Sequence, residues 1–562
     1  MNAIPVRSRD TIRSHRASGF KLTTPVTRRA DCNRNHRRIR RLLRASRDQV
    51  EAGAGRLSRS RRVRSPLSHS LVIIILAFVI ASCPPVGLTL AVTSLLLDSM
   101  RTNRKLSAPA VVSSLEKHIL VDGFRIVIDL KQSRGPFLFD EVTGRQFLDL
   151  YGFYGSLPIG FNHPSFDQAE VQSDLLEAAR TKPANSDVYS RHFATFVETF
   201  ARVLGLPPLD RYFFIEGGAM AVENALKSAM DWKVRKNLAA GLGERGTEIL
   251  HFERAFHGRS GYTLSLTNTD PRKTDYFAKF PWPRVPAPSL NFSLPEPLRS
   301  EDVRAREARA EAQIRSVLQR KAHDIAALII EPIQGEGGDN HFRGEWLRTL
   351  RELCDEHDIL LIFDEVQSGA GTTGRNWCCE HFEVWPDMLA FGKKAQVCGV
   401  MAGPRLDEVP DNCFRLPGRI NSTWGGNLVD MVRATHYLRI IERDDLVGNA
   451  AAVGKELLKG LRELADAESL ITAVRGRGLM LAFDLPDREC REEFYHGLYD
   501  LGLLAIRSGE RSIRFRPALD FPAEAIGQAL QTLQEQCRRM RQNGFQPQSP
   551  IEEMANEPAR LA

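Results

Sequence analysis

The middle of the chain contains four short apolar runs, each followed directly by polar or glycine residues. The runs are residues 212–215, 325–330, 359–363 and 388–391. Four to six apolar residues in a row are too few for a helix and are typical of a strand buried on both faces of a sheet. The pattern therefore predicts an α/β protein with a mostly parallel central sheet.

Two of these predicted strands end beside residues with reactive side chains. Asp364 follows the run 359–363, and Lys393 follows the run 388–391 after one glycine. Open α/β sheets bind ligands beyond the carboxyl ends of their strands, so both groups are expected to face one crevice. A buried carboxylate that keeps a pyridine nitrogen protonated and a lysine that holds an aldehyde are what pyridoxal phosphate requires. Taken singly, Asp364 could cap a helix and Lys393 could lie on the surface.

The run 212–215 leads into a glycine-rich turn that begins a predicted helix. Gly218 and Ala219 stand in this turn, and apolar residues recur at helical spacing through residues 220–236. The first turn of a helix presents free backbone N–H groups and the positive end of the helix dipole, which suits a phosphate group. A flexible turn without a ligand is the alternative.

A further predicted strand, residues 248–252, leads to a second pair of candidates. The ring of Phe256 could stack on a planar cofactor, and the guanidinium of Arg259 could bind a carboxylate. A core phenylalanine and a surface arginine are the alternatives.

Five longer blocks carry a resemblance to a known family: residues 182–190, 256–265, 331–338, 391–401 and 421–427. From Met100 almost to its end, the chain resembles the class III, ornithine-type aminotransferases, which use pyridoxal phosphate. Within that class it is most similar to the branch that transfers the side-chain amine of L-lysine to 2-oxoglutarate. That ping-pong reaction yields L-glutamate and 2-aminoadipate 6-semialdehyde, which cyclises to 1-piperideine-6-carboxylate. The resemblance implies fold type I, with a large domain and a smaller C-terminal α+β domain.

The resemblance also implies roles around the cofactor. Lys393 would bind the cofactor aldehyde and later carry protons, because the family places this lysine directly after the glycine and not at Lys394. Asp364 would pair with the ring nitrogen. The other contacts would come from Gln367 at the phenolic oxygen, from Val366 and Phe256 on the two ring faces, from the backbone of Gly218 and Ala219 at the phosphate, and from Thr423 of the partner subunit in a homodimer.

For the substrates, the resemblance implies that Arg259 and Arg514 bind carboxylates, that Asn421 lies in the substrate site, and that Glu336 is a gate beside Arg514. One pocket must accept both the apolar stem of lysine and the carboxylate of glutamate. An unpaired arginine beside the stem is costly, so a carboxylate that neutralises it for lysine and moves away for glutamate meets both demands. A solvated loop glutamate is the alternative for Glu336.

The exact donor stays open at this stage. Residues 151–158, where the family's N-terminal segment lines the substrate pocket, do not match the pattern of the lysine branch. Ornithine, acetylornithine and 4-aminobutyrate are alternative donors to 2-oxoglutarate. A pyridoxal-phosphate racemase or aminomutase would need no pair of arginines with a gate. A non-catalytic membrane-tethered protein is disfavoured by the intact Lys393.

Composition limits the partners. The chain has 562 residues, is 43% hydrophobic and has a net charge of +8. Residues 1–70 contain 18 arginines, one lysine and four acids, so residues 71–562 carry a net charge of −7. Because residues 71–562 carry a net negative charge, we expect no nucleic-acid partner. The nine cysteines contain no CxxC pair, which predicts free thiols, a cytoplasmic location and no bound metal.

The first hundred residues are expected to lie outside the fold. They combine an arginine-rich leader with an apolar stretch, residues 71–97, which Pro84 and Pro85 interrupt. A mitochondrial transit peptide and a membrane anchor are alternatives, but we expect translation to begin at Met100 and membrane association to be absent. The predicted organisation is a leader 1–99, an N-terminal segment 100–162, a cofactor-binding large domain 163–430, a small domain 431–545 and a frayed tail 546–562.

Overall fold

The computed structural model describes residues 106–544. The predictions about the leader, the start at Met100 and the tail lie outside the described residues. Within the described range, no helix has both the length and the apolar character needed to cross a membrane.

The secondary structure alternates strands with helices. The helices are α1 Val111–Leu115, α2 Gly152–Gly155, α3 Ala169–Ala179, α4 Arg191–Leu204, α5 Gly218–Ala239, α6 Gly261–Leu266, α7 Pro271–Thr274, α8 Leu298–Arg320, α9 Gly344–Glu356, α10 Leu428–Arg443, α11 Leu446–Ala467, α12 Arg488–Asp500 and α13 Glu524–Gln542. The strands are β1 Phe137–Phe139, β2 Gln146–Asp149, β3 Arg211–Ile215, β4 Glu248–Phe252, β5 Arg284–Val285, β6 Ile325–Ile330, β7 Ile333–Gln334, β8 Asn340–His341, β9 Leu360–Asp364, β10 Met388–Phe391, β11 Cys398–Ala402, β12 Thr472–Arg477, β13 Met480–Asp484, β14 Leu503–Leu504, β15 Ile506–Ser508 and β16 Ser512–Phe515.

The central sheet has seven strands in the order β3-β11-β10-β9-β6-β4-β5. The strands β10, β9, β6, β4 and β5 are parallel neighbours. Strand β11 runs antiparallel to both β10 and β3, so β3 points the same way as the other five. Six carboxyl ends therefore meet at one edge of the sheet, and the prediction of a mostly parallel sheet is confirmed.

The apolar runs form strands because both faces of this sheet are covered. Along β9, Leu361 and Phe363 join one hydrophobic cluster, whereas Leu360 and Ile362 join the other. The first cluster includes Trp346 of α9 and the second includes side chains of α5. Since successive residues of a strand point to opposite faces, every position of β9 is apolar until Asp364 at its end.

Two smaller sheets complete the architecture. Strands β12, β13, β16 and β15 form an antiparallel sheet, against which α11 packs. Strand β2 pairs antiparallel with β1 and parallel with β14, so the N-terminal segment is joined to the C-terminal part of the chain. The result is the predicted large α/β part with a smaller α+β part, and the boundaries at 162 and 430 stay predictions.

Candidate active site

Asp364 and Lys393 stand at the same edge of the sheet because their strands are neighbours. Asp364 is the last residue of β9 and is paired in register with Ala390 of β10. Lys393 follows β10 in the tight turn that leads to the antiparallel β11. Both side chains therefore stand at the edge where the six carboxyl ends meet.

The two adjacent lysines have opposite environments. Lys394 is buried, and its Nζ donates to the carbonyl oxygens of Leu157 at 2.9 Å and Pro517 at 2.7 Å. Lys393 is half-buried, and within residues 106–544 its Nζ has no hydrogen-bond or ion-pair partner. Burial, with the nearby Arg514 and Arg516, lowers the pKa of Lys393 to about 7. An amine with a pKa near 7 is partly deprotonated at neutral pH and is a usable nucleophile and base.

Asp364 has a partner that the sequence did not indicate. The buried imidazole of His257 lies with Nδ1 2.8 Å from Oδ2 of Asp364, within hydrogen-bond distance. Oδ1 of Asp364 accepts the backbone N–H of Val366 at 3.1 Å. These contacts hold the carboxylate in one orientation. His257 stands between Phe256 and Arg259 in the sequence, and that adjacency was the one signal that could have singled it out.

Two other buried acids shape the loops of the site. Glu331 accepts the backbone N–H groups of Phe256 at 2.9 Å and Gly335 at 3.0 Å, and burial raises its pKa to about 7. Glu365 accepts backbone N–H groups of Cys378 and Cys379, and burial raises its pKa to about 7 as well. Both carboxyl groups hold backbone N–H groups of the neighbouring loops in place. This structural role accounts for two acids at strand ends without a part in the chemistry.

The beginning of α5 has the features expected of the predicted phosphate site. Gly217 precedes the helix with φ 94°, and no side chain caps the first N–H groups. A Cβ on Gly218 would lie 2.9 Å from Cγ1 of Val366, so glycine is needed for this close approach. Uncapped N–H groups at a helix start, the unpartnered Nζ of Lys393 and the fixed carboxylate of Asp364 together match the phosphate, aldehyde and ring nitrogen of pyridoxal phosphate.

Gln367 is held by two buried arginines. Its Oε1 accepts from Arg514 at 2.8 Å and from Arg516 at 3.0 Å. Its Nε2 has no hydrogen-bond partner in the part of the chain that the structure describes, and it remains able to donate to a phenolic oxygen. Arg516, which the sequence reading did not select, is also paired with buried Asp339 at 2.7 Å.

Glu336 occupies the predicted position beside Arg514. Its Oε2 accepts from Arg514 at 2.5 Å, and its Oε1 is paired with Lys273 of α7. Burial favours the protonated acid, but Arg514 and Lys273 outweigh it and keep the pKa of Glu336 below its usual range. The gate residue is thus a carboxylate shared between two cations, of which the sequence reading had found one.

The structure does not bring every predicted residue into this cluster. Arg259 is exposed, and it makes no ion pair or hydrogen bond to another described residue. Asn421 and Thr423 are exposed on the loop before α10. Phe256 is half-buried, with Nζ of Lys273 5.6 Å from its ring centroid. The roles of these four residues stay predictions.

Residues 151–158 pack directly against the strand that carries the arginines. A Cβ on Gly152 would lie 2.1 Å from the carbonyl oxygen of Arg516, which excludes any other residue there. Phe153 and Tyr154 have left-handed backbone angles, with φ 52° and φ 58°. With Tyr151, Tyr154 lines a cavity of about 480 Å³ that also reaches Glu336. The divergent segment therefore borders the gate.

Comparison with known proteins agrees with this geometry. The aminotransferase class-III family matches residues 121–536. The chain belongs to the class-III aminotransferases. The L-lysine-epsilon aminotransferase of Mycobacterium tuberculosis is 52% identical over 419 residues, which cover 74% of this chain and 92% of that protein. The enzyme of the same name from Streptomyces clavuligerus is 49% identical over 434 residues, covering 76% and 94%.

A solved structure supports the same assignment. The lysine aminotransferase from M. tuberculosis in its internal aldimine form is 50% identical and covers 76% of this chain and 99% of that chain, with a TM-score of 0.75. This class-III aminotransferase is a pyridoxal-phosphate enzyme of fold type I, as the sequence predicted.

The lowered pKa of Lys393 gives this aminotransferase a testable pH signature. In the cofactor-free protein, we expect acetylation of Lys393 by acetic anhydride to rise with pH and reach half its maximum near pH 7, because the amine loses its proton there. Competitive labelling with peptide mass spectrometry measures this, with the exposed Lys279 as internal reference. A half-point above about pH 9 would contradict the lowered pKa.

Proposed function

We propose that this enzyme transfers the side-chain amine of L-lysine to 2-oxoglutarate, giving 2-aminoadipate 6-semialdehyde and L-glutamate. The relatives at 49 to 52% identity bear the name of this activity. The observation that carries the proposal is the pairing of Glu336 with Arg514 inside the site. A pocket for both lysine and glutamate needs a carboxylate that neutralises the arginine for one substrate and leaves it for the other. The ion pair between Glu336 and Arg514 is the contact that this requirement predicts.

The residues divide the work between binding and proton transfer. When bound, pyridoxal phosphate would supply an electron sink and the aldehyde that receives the amino group. Nζ of Lys393 would take a proton from the substrate carbon that bears the amine and deliver it to the cofactor side, and a pKa near 7 suits both steps. His257 holds the carboxylate of Asp364, which would pair with the ring nitrogen of the cofactor. Arg514 would bind the carboxylate that glutamate or 2-oxoglutarate carries next to the reacting carbon, once Glu336 releases the guanidinium.

Other donors of a distal amine are the second candidate. The divergent segment 151–158 borders the cavity beside Glu336, so its aromatic side chains can alter the donor that fits. Ornithine, acetylornithine and 4-aminobutyrate each carry a distal amine that an enzyme of this class can transfer to 2-oxoglutarate. A racemase or aminomutase is less consistent with the buried arginines and the gate.

A donor screen tests the proposal. Purified enzyme with pyridoxal phosphate and 2-oxoglutarate is offered lysine, ornithine, acetylornithine and 4-aminobutyrate in parallel. Glutamate formation measures each rate, and o-aminobenzaldehyde traps the cyclic imine expected from lysine. The proposal fails if lysine is not the donor with the highest kcat/KM.

We further propose a homodimer in which the partner's Thr423 contacts the cofactor phosphate. Thr423 is exposed in the single chain, and the large apolar side chains of Val188, Tyr189 and Trp424 are exposed nearby. The two loops are connected, since the backbone N–H of Asn185 donates to the carbonyl of Trp424. An apolar patch of this kind beside the site is suited to burial by a second copy.

A hybrid dimer tests the exchange of Thr423. We expect Thr423→Val to weaken cofactor binding by about 5 to 10-fold through loss of one hydrogen bond. A tagged heterodimer of Lys393→Ala with Thr423→Val contains one site with an intact lysine. If threonine crosses the interface, that site binds cofactor with native affinity in an absorbance titration. If it shows the weakened affinity, Thr423 serves its own chain.

A cytoplasmic location is part of the proposal. The seven cysteines among residues 106–544 are unpaired, and six of them are buried. Free buried thiols are usual where the environment is reducing. Fractionation of the source cells checks this location.

A further inference from the structure

The carboxylate of Glu336 contacts two cations that come from different parts of the chain. Arg514 lies on β16 and is almost fully buried, whereas Lys273 lies on α7 with a side chain that is 29% exposed. Each oxygen of Glu336 has its own partner. If Glu336 is the gate, its carboxylate must leave Arg514 when a dicarboxylate binds. The carboxylate of Glu336 then needs another partner.

The backbone of the gate loop is held in place. The hydroxyl of Ser508 donates to the carbonyl of Gly335 at 2.7 Å, and the N–H of Gly509 donates to the carbonyl of Glu336 at 3.1 Å. A Cβ on Gly337 would lie 2.0 Å from the carbonyl oxygen of Arg254, so the loop is also tightly packed. Movement of Glu336 is therefore a rotation of its side chain about a fixed backbone.

We propose that Lys273 is the second station of the gate and thereby determines how readily a dicarboxylate is accepted. When a substrate carboxylate reaches Arg514, Glu336 gives up that contact and keeps its ion pair with Lys273. The inference rests on the proposed function in one respect, namely that a dicarboxylate is one of the two substrates.

The physical basis is the cost of an unpaired charge in a half-buried place. Glu336 is 22% exposed, so a carboxylate released from Arg514 without another partner would be poorly solvated. A lysine already in contact removes most of that cost, since Glu336 keeps one ion pair while Arg514 exchanges Glu336 for the substrate carboxylate. For lysine as substrate, Glu336 stays in contact with both Arg514 and Lys273.

Two ligands of equal length separate these cases without turnover. Glutarate carries a carboxylate at both ends and requires the gate to open, whereas pentanoate carries one and does not. In the holoenzyme, titration calorimetry gives the Kd of each. We expect Lys273→Met to raise the Kd of glutarate by about 5 to 10-fold, the effect of losing one partly buried ion pair. The Kd of pentanoate should change by less than about twofold.

Arg272 offers a matched control. It borders the same cavity but is paired with Asp270 and does not contact Glu336. Arg272→Met removes an adjacent positive charge, and we expect less than about a twofold change for either ligand, because the rim charge is screened. We expect Lys273→Arg to restore glutarate binding. Equal weakening by the Lys273 and Arg272 variants would mean a general field effect and would overturn the proposal.

The Glu336→Gln background isolates the route of the effect. This background has no carboxylate at position 336 for Lys273 to pair with. Lys273→Met is therefore expected to change glutarate binding by less than about twofold in it. A persistent loss would mean that Lys273 binds the dicarboxylate itself, and the two-station gate would be wrong. Failure of the proposed function is a separate result: native enzyme that reacts with neither lysine nor glutamate while the glutarate and pentanoate titrations still differ as expected.

Discussion

Replacing Lys393 with alanine should lower turnover by about 10⁴-fold or more, because the substitution removes the residue that we propose binds the cofactor covalently and carries the proton. The visible absorbance of lysine-bound cofactor should disappear as well. Stopped-flow spectroscopy and steady-state rates of the purified variant measure both changes. In native enzyme, borohydride reduction followed by peptide mapping should find the cofactor attached to Lys393.

Lys394 provides the internal comparison. Its Nζ donates to two backbone carbonyls on different segments, so it is expected to act in the fold and not in the chemistry. Lys394→Ala should keep the visible absorbance and turnover of the folded fraction, but it should lower Tm because two buried carbonyls lose their donor. A reduced adduct on Lys394 would reverse the assignment of the two lysines.

Changing Glu336 to glutamine should separate the two half-reactions. The variant leaves Arg514 uncompensated beside the lysine stem, so amine transfer from lysine should slow by about 10 to 100-fold. Transfer between glutamate and the cofactor should be unchanged or faster, since the arginine is already free. Single-turnover measurements with each substrate give the two rates. Equal slowing of both would make Glu336 a structural residue and would move donor choice to residues 151–158.

The strands were predictable because burial on both faces leaves a continuous apolar run in the sequence. Strands β4, β6 and β10 have the bounds predicted for them, and β3 and β9 differ by one residue. The carboxyl-end rule then placed Asp364 and Lys393 together, since it depends on strand direction alone. Local pattern was sufficient for these features.

The side-chain partners were not predictable from pattern. His257 and Asp364 are 107 residues apart in the sequence, and Lys273 and Glu336 are 63 apart. Such pairs depend on how helices and loops approach the sheet, and a single sequence carries no record of that approach. Arg516 was missed for a related reason, because a buried arginine just after a strand cannot be told from a surface arginine until its partner is known. The roles predicted for Thr423 and Arg259 involve a second chain or a ligand, so the structure of one chain does not test them.

The left-handed turn at Gly152–Gly155 restricts how this enzyme can diverge or be redesigned. Its two central residues, Phe153 and Tyr154, adopt backbone angles that asparagine, aspartate and glycine tolerate and that valine, isoleucine and threonine strongly disfavour. Because Gly152 cannot carry a side chain against Arg516, the turn itself cannot be rebuilt one residue at a time. Substitutions in this turn are therefore not equally accessible. Single substitutions can exchange the aromatic side chains or replace them with small polar ones. β-Branched aliphatic side chains require the neighbouring strand to change as well.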